Sequence, residues 1–437
     1  MTTAQFGSLT LLIFAILALA HLCGWLFVKL RQPRVVGEIF AGVLLGSAVL
    51  GHFWPNVSAA LFGSTATNSH GGAATVVLAF LYNLGLLLLM FASGAETKGL
   101  FNRTDAREVA WLGGVGTLVP FLFALLVAPI MPLYLLMRDP SASRTPITLV
   151  VAIAIAVTSI PVISKILYDL NILHTRFARL ILGVAVIEDV VLWAVLAVAT
   201  SLAKSADIQR SQIAVHVVGN LAYFAIGLFI APTLLKKISR QRINVLATNA
   251  PLAYVFLVLM AYSATAAMLD VNLVFAAFLA GLAVAKDKRL LEAIRTINAM
   301  SFAIFIPIYF AVVGYKLDLT KSFSFGLLAI FLVIACIVKL ISAGAGARFA
   351  GFSWRDSTNL AAALNARGGP GIVLASVALD AGIVNASFYT TLVLVAVLTS
   401  QLAGFWLDYV LRKGRPLLTE QELEVSPRTS EVGGRAA

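Results

Sequence analysis

Apolar residues run along the chain in long blocks, and polar residues gather in the short stretches between them. The blocks approach the roughly 20 residues that a helix needs to cross the hydrocarbon of a bilayer. Thirteen membrane segments are predicted, at 7–30, 36–54, 75–95, 108–131, 146–168, 177–201, 212–235, 251–270, 272–286, 298–315, 323–346, 357–383 and 388–411. The second and ninth are short and rich in small residues. The first has no basic stretch before it and no small-residue cleavage site after it, so a spanning helix is expected there and not a cleaved signal. The expected fold class is an all-α polytopic membrane protein of about thirteen transmembrane helices. Residues 1–415 form one transmembrane domain, and residues 416–437 read as a disordered cytoplasmic tail.

Composition agrees with the pattern. The chain is 60% hydrophobic and 12% charged, about half the charge of a soluble domain. Its net charge of +12 has a topological explanation that makes a nucleic-acid partner unnecessary. With the N-terminus outside, twenty-four of the 32 lysines and arginines fall in cytoplasmic loops and tail. Only six fall in outer loops, and that bias is the one membrane insertion produces. The prediction is a multi-pass protein of the cell inner (plasma) membrane with its C-terminus in the cytoplasm. The two cysteines, Cys23 and Cys336, lie in apolar runs and read as helix-packing residues. The five histidines do not cluster with other ligands, so no cofactor and no metal beyond a transported ion is expected. No nucleophile–histidine constellation points to an enzyme.

An odd number of segments permits an internal symmetry. Segments 1–6 and 8–13 form two six-helix repeats of opposite orientation, an architecture common among secondary transporters. Segment 5 then corresponds to segment 12, and both carry helix breakers near mid-membrane. The first has Thr158-Ser159-Ile160-Pro161; the second has Arg367-Gly368-Gly369-Pro370-Gly371. Paired interruptions of this kind predict crossed, discontinuous helices at a binding site. Two ordinary proline kinks are the plainer reading.

Segment 6 places Glu188 and Asp189 side by side near its middle. A charge at that depth costs roughly 2.5–3.5 kcal/mol on the lenient insertion scale, so the pair calls for a partner or a wet cavity. Burial and a like-charged neighbour both favour the neutral form of a carboxylate in general. A carboxylate so placed takes a proton or, when ionised, offers hard oxygen ligands to a small cation. Lys339 is the only lysine deep within a segment. Pairing with Glu188 or Asp189 explains it, and a purely structural lysine is the alternative. Thr158 and Ser159 would offer hydroxyls and freed carbonyls to a cation. Arg367 would compensate carbonyl ends or serve in packing. Glu38 reads equally as a helix cap or as a pathway residue, and Glu96 as an interfacial helix end. Asp270, Asp318 and Asp380 read as solvated outer ends, with an entry funnel as the alternative, and His216 as a helix histidine, with pH sensing as the alternative.

The order and spacing of several motifs resemble the monovalent cation:proton antiporter-2 family. They are Leu30-Arg-Gln-Pro-Arg-Val-Val-Gly-Glu-Ile-Phe-Ala-Gly-Val-Leu-Leu-Gly46, Asn83-Leu-Gly-Leu-Leu-Leu-Leu-Met-Phe91 and Thr158-Ser-Ile-Pro-Val162 with Ile166-Leu167. Glu188-Asp189, Phe278-Leu-Ala-Gly281, Ile308-Tyr-Phe-Ala-Val-Val-Gly314 and Ala366-Arg-Gly-Gly-Pro-Gly-Ile-Val-Leu-Ala375 complete the set. The resemblance implies a core domain with two crossed, unwound helices and a separate dimerisation domain. It also implies a homodimer and transport by an elevator-like movement of the core. By position it makes Asp189 the essential ion- and proton-binding carboxylate and Glu188 its variable neighbour. Thr158 and Ser159 belong to the first crossing, and Lys339 matches the basic residue that pairs with position 188. Glu188 is longer than the aspartate of double-aspartate members, Pro161 stands where many bacterial members have alanine, and Lys98 stands where an acid is common. No regulatory nucleotide-binding domain is read after the last segment, so gating by glutathione or nucleotide is not expected.

The function expected is exchange of Na⁺ or K⁺ for protons by alternating access. The acidic pair with Lys339 leans toward electrogenic exchange, two protons per cation; a Glu188 and Lys339 that merely stay paired would make exchange one for one. A potassium efflux channel and a proton-driven exporter of an organic compound are the alternatives.

Overall fold

The computed structural model describes residues 3–419 apart from 31, 47–48, 63–72, 97–104, 174, 205–217, 220–221, 242–243, 270, 318 and 320–322. Among the described residues eleven helices are long and apolar enough to cross a membrane, and two shorter apolar helices, Arg144–Ala156 and Leu273–Val284, join them. Together they match the thirteen predicted segments one for one. The described residues contain no strand, only an isolated bridge between Met137 and Val384.

The helices that matter below are α1 (Thr3–Lys29), α2 (Arg34–Leu45), α3 (Ala73–Glu96) and α4 (Ala106–Val127). Segment 5 is two pieces, α5 (Arg144–Ala156) and α6 (Ile160–Asp169), followed by α7 (Arg176–Lys204). Then come α8 (Ala231–Ser239), α9 (Pro251–Met268), α10 (Leu273–Val284), α11 (Leu291–Met300) and α12 (Ile306–Tyr315). Segment 11 is α13 (Phe325–Phe349). Segment 12 is again two pieces, α14 (Trp354–Leu364) and α15 (Gly368–Asp380), and α16 (Ala386–Arg412) closes the fold. A π-helical turn, Ser301–Phe305, joins α11 to α12.

Packing sorts the helices into two bundles. In one, α4 lies against α13, α5 and α7, while α16 covers α13, α14 and α15. In the other, α3 lies between α10 and α12, and α2 between α1 and α12. The first holds both interrupted segments and the acidic pair, so we call it the core; the second is the scaffold.

The scaffold is drawn tight by two reciprocal glycine crossings. A Cβ on Gly42 of α2 would strike the carbonyl oxygen of Ala311 on α12, and one on Gly314 would strike that of Ile39. Gly94 of α3 and Gly281 of α10 stand in the same relation to the carbonyls of Phe278 and Phe91. Small residues permit this approach where lipid offers no hydrophobic drive to association. Under the predicted repeat, segment 2 maps to segment 9 and segment 10 to segment 3. One crossing therefore maps onto the other, and the short second and ninth segments are its two copies.

Core and scaffold meet through few polar contacts. At one end Lys316 pairs with Asp380 at 3.3 Å, the hydroxyls of Tyr309 and Ser376 lie 3.4 Å apart, and Tyr389 donates to the Val313 carbonyl at 3.2 Å. Mid-membrane, Trp193 of α7 packs against Phe275 and Phe278 of α10.

Candidate functional site: two broken helices around a buried acid

Helix α5 ends at Ala156 because Val157 turns extended and Thr158 and Ser159 follow. Short hydroxylated side chains compete with the helix for backbone partners. Helix α6 restarts at Ile160, with Pro161 in its first turn, where a missing N–H goes unmissed. The side chain of Pro161 lies outside the described residues. Helix α14 ends at Leu364, and α15 starts at Gly368, whose φ of 27° falls in a region that favours glycine. Gly369 and Pro370 fill the rest of its first turn. Neither proline kinks a continuous helix; both sit at the start of a half-helix.

Each interruption leaves orphan carbonyls on one side and orphan N–H groups on the other, deep in apolar surroundings where water cannot serve them. The two breaks satisfy each other. The Thr158 hydroxyl donates to the Leu364 carbonyl at 2.5 Å, and the Ser159 N–H donates to Ala366 at 2.7 Å. The Ser159 hydroxyl oxygen accepts from Gly369 N–H at 3.1 Å and from Val162 N–H at 3.4 Å. On the far side α16 supplies Thr399 and Ser400, which accept from the N–H groups of Arg367 and Gly368. The C-terminal ends of α5 and α14 thus meet head to head, and segments 5 and 12 run in opposite directions.

Two buried cations finish the capping. The Arg367 guanidinium donates to the carbonyls of Ala154 at 2.9 Å, Ile155 at 3.0 Å and Ala335 at 2.8 Å, and to the Asn365 side chain at 2.8 Å. It is fully buried, and no carboxylate bonds to it among the described residues. Lys339 donates to the Ala156 carbonyl at 2.5 Å, the Gly116 carbonyl at 3.1 Å and Glu188 Oε1 at 2.7 Å. Its three protons are all used. Glu188 Oε1 also accepts from the Thr117 hydroxyl at 2.7 Å.

Asp189 differs from its neighbour. It is 0% exposed, and neither carboxylate oxygen accepts a hydrogen bond among the described residues. It shares a face of α7 with Trp193, four residues on. Trp193 packs against the scaffold, so Asp189 lies on the side of the core that faces the core–scaffold boundary. The acidic pair is therefore divided: Glu188 points into the core toward Lys339, and Asp189 points toward the boundary.

The structure brings Thr158, Ser159, Gly368, Gly369, Glu188 and Lys339 into this one bonded network, and Pro370 sits beside it in the first turn of α15. Ser159 has its oxygen committed to capping. Thr158 spends its proton on Leu364 but keeps lone pairs. Of the remaining residues singled out in the sequence, Glu38 pairs with Arg34 at 3.0 Å and Asp380 with Lys316, while Cys336 accepts from Asn365 at 3.3 Å. Asp270, Asp318, His216 and Lys98 lie outside the described residues. Among the described residues no group of three His, Cys, Asp or Glu is placed to hold a metal. Sequence reasoning missed Thr117, Asn365, Thr399 and Ser400. Their one signal was polarity inside apolar segments that pack on the breaks.

Comparison with known proteins gives a consistent result. The family described as sodium/hydrogen exchanger, transmembrane, matches residues 17–413. The chain is 28% identical to K(+)/H(+) antiporter 1 of Saccharomyces cerevisiae, over 90% of this chain and 45% of that protein. It thus spans about half the length of the yeast relative. It is also 28% identical to the Na(+)/H(+)-K(+) antiporter GerN of Bacillus cereus, over 90% of this chain and 94% of that one. Among solved structures, the sodium proton antiporter MjNhaP1 from Methanocaldococcus jannaschii superposes with a TM-score of 0.60. The match covers 92% of this chain and 96% of that one at 13% identity, a likeness of fold.

Proposed function

The chain belongs to the transmembrane sodium/hydrogen exchanger family, and on that premise we propose that it exchanges Na⁺ or K⁺ for protons, with Asp189 as the group for which both compete. The observation that carries the proposal is the bare, fully buried carboxylate of Asp189 beside a glutamate whose charge Lys339 already matches. A buried carboxylate without partners is costly. A proton neutralises it, and an alkali cation does the same through hard oxygen contacts. Thr158 is positioned to add an oxygen ligand from the first break.

Charge supports one proton per cation. Lys339, Arg367 and Glu188 sum to a single positive charge. Asp189 adds nothing to that sum when it is protonated or when it holds a monovalent cation. Either occupant thus leaves the core with the same net charge. An empty, ionised Asp189 brings that sum to zero, yet it would take past the apolar scaffold face a carboxylate that no hydrogen bond serves among the described residues, the costly state for a buried charge. The core therefore moves loaded with one ion or the other.

Alternating access follows from the position of Asp189 toward the scaffold. Movement of the core along the scaffold opens that boundary to one side and then the other. The contacts of Lys316, Tyr309 and Tyr389 close one side in the present arrangement. The basic-loop bias places that side outside, with the N-terminus outside and the C-terminus in the cytoplasm of a plasma membrane. The exposed apolar face of α1, with Phe6, Phe14, Leu22 and Trp25, is the surface offered to lipid or to a second copy in a homodimer.

The test is transport by purified protein in proteoliposomes that hold a pH dye, with Na⁺, K⁺ and Li⁺ added in turn. Wild type is expected to move protons against at least one cation and Asp189→Asn against none. Exchange that survives in Asp189→Asn refutes the assignment.

A further inference from the structure

Two adjoining pockets open on the side of the core away from the scaffold, between α13, α14 and α16. The larger, of about 880 Å³, is walled by Leu340, Ile341, Phe349, Ala362, Leu402 and Phe405. The smaller, of about 230 Å³, is lined by Arg355, Lys413 and Arg415. They share Thr358 and Trp406, so one runs into the other. Among the described residues no aspartate or glutamate lines either one. The nearest acids are engaged elsewhere: Asp356 accepts from the Thr419 N–H and hydroxyl at 3.0 and 2.9 Å, and Asp408 pairs with Arg412 at 2.8 Å. Where the pockets meet the helix ends, Arg348 lies 4.9 Å over Trp354 and Lys413 lies 4.6 Å over Tyr409. Amphipathic aromatics at helix ends are the mark of the headgroup level.

The combined shape is a long apolar slot ending in three exposed cations with no anion among the described residues. We propose that an anionic phospholipid occupies it, with an acyl chain along α13 and α16 and its phosphate on Arg355, Lys413 and Arg415. An apolar solute would leave the cations unmatched, and a free phosphate would leave the slot unfilled. Basic pockets between transmembrane helices recognise anionic headgroups in this way. The occupant would touch α14 directly, the half-helix that leads into the second break, and would travel with the core.

The test uses full-length protein and native mass spectrometry with phosphatidylglycerol, with phosphatidylcholine and inorganic phosphate as controls. Phosphatidylglycerol is expected to bind roughly tenfold or more tighter than phosphatidylcholine, given the attraction of each basic residue to anionic lipid. The double variant Lys413→Gln, Arg415→Gln is expected to erase that preference. Ala362→Trp, which plugs the slot and leaves the charges, is expected to weaken both lipids alike. Equal binding of the two lipids by wild type, or an unchanged preference in the double variant, overturns the proposal. Displacement of phosphatidylglycerol by millimolar phosphate overturns the acyl slot. The acidic stretch that follows Thr419 is the rival occupant. If a full-length variant with Glu420, Glu422 and Glu424 changed to Gln gains lipid binding severalfold, that stretch fills the pocket and the lipid proposal fails.

Discussion

Replacing Lys339 with Met removes a cation that holds three groups at once. Glu188 would keep only the Thr117 hydroxyl on Oε1, with Oε2 already unpartnered. The carbonyls of Gly116 and Ala156 would lose their side-chain donor in a site with 0% side-chain exposure on either partner. Breaking a buried ion pair by deleting one member costs about 3–5 kcal/mol, because the other charge stays buried and alone. The double variant Lys339→Met, Glu188→Gln removes both charges, and the carboxamide still accepts from Thr117. What remains lost is the ammonium's bonding to two carbonyls, about 1–3 kcal/mol. The double variant should therefore be the more stable, by about 2 kcal/mol, although it carries one more substitution. Thermal unfolding of the purified proteins in detergent, followed by monodisperse peak height after heating, reads this order. If the single variant melts with wild type, or the double melts no higher than the single, the ion pair does not hold the site together.

Arg367→Lys keeps the charge but gives up the fork that reaches Ala154, Ile155 and Ala335 together. A loss of at least about 1.5–3 kcal/mol is expected from the charged hydrogen bonds forfeited, read in the same melting assay; unchanged melting would show that the carbonyl ends need no guanidinium. Cysteines placed at Lys316 and Asp380 and joined by a short bifunctional thiosulfonate cross-linker, which spans the reach of the lysine side chain it replaces, are expected to lock core to scaffold and stop exchange, and reduction should restore it. Full activity in the cross-linked protein would rule out sliding at that contact.

The helices and the two breaks were legible because their causes are local. Apolar length marks a spanning segment, and Thr158-Ser159-Ile160-Pro161 and Arg367-Gly368-Gly369-Pro370 each stop one helix and start another within a few residues. The opposite orientation of segments 5 and 12 was expected from the odd offset of seven segments between them. The division of labour within the site was not. Glu188 and Asp189 are adjacent in sequence, and only the packing of α7 on α4 and α5 decides which of them faces Lys339. Arg367 was open between two roles because two of its carbonyl partners lie more than 200 residues away in α5 and a third in α13. Ser159 read as a cation ligand from its position; its oxygen accepts from Val162 N–H in its own segment and from Gly369 N–H, which only the fold brings near. The tightness of the short second and ninth segments likewise comes from glycine pairs on helices far apart in the chain.

The most direct measurement is of protons released when a cation binds at equilibrium, without transport. Detergent-purified protein in weak buffer is titrated with NaCl or KCl against choline chloride, and a pH dye records the change. Competition at one carboxylate predicts that at least one of the two salts releases close to one proton per chain at saturation, that the release vanishes in Asp189→Asn, and that it persists in the Lys339→Met, Glu188→Gln double variant. Saturable cation binding by wild type without proton release, or equal release from Asp189→Asn, would contradict it.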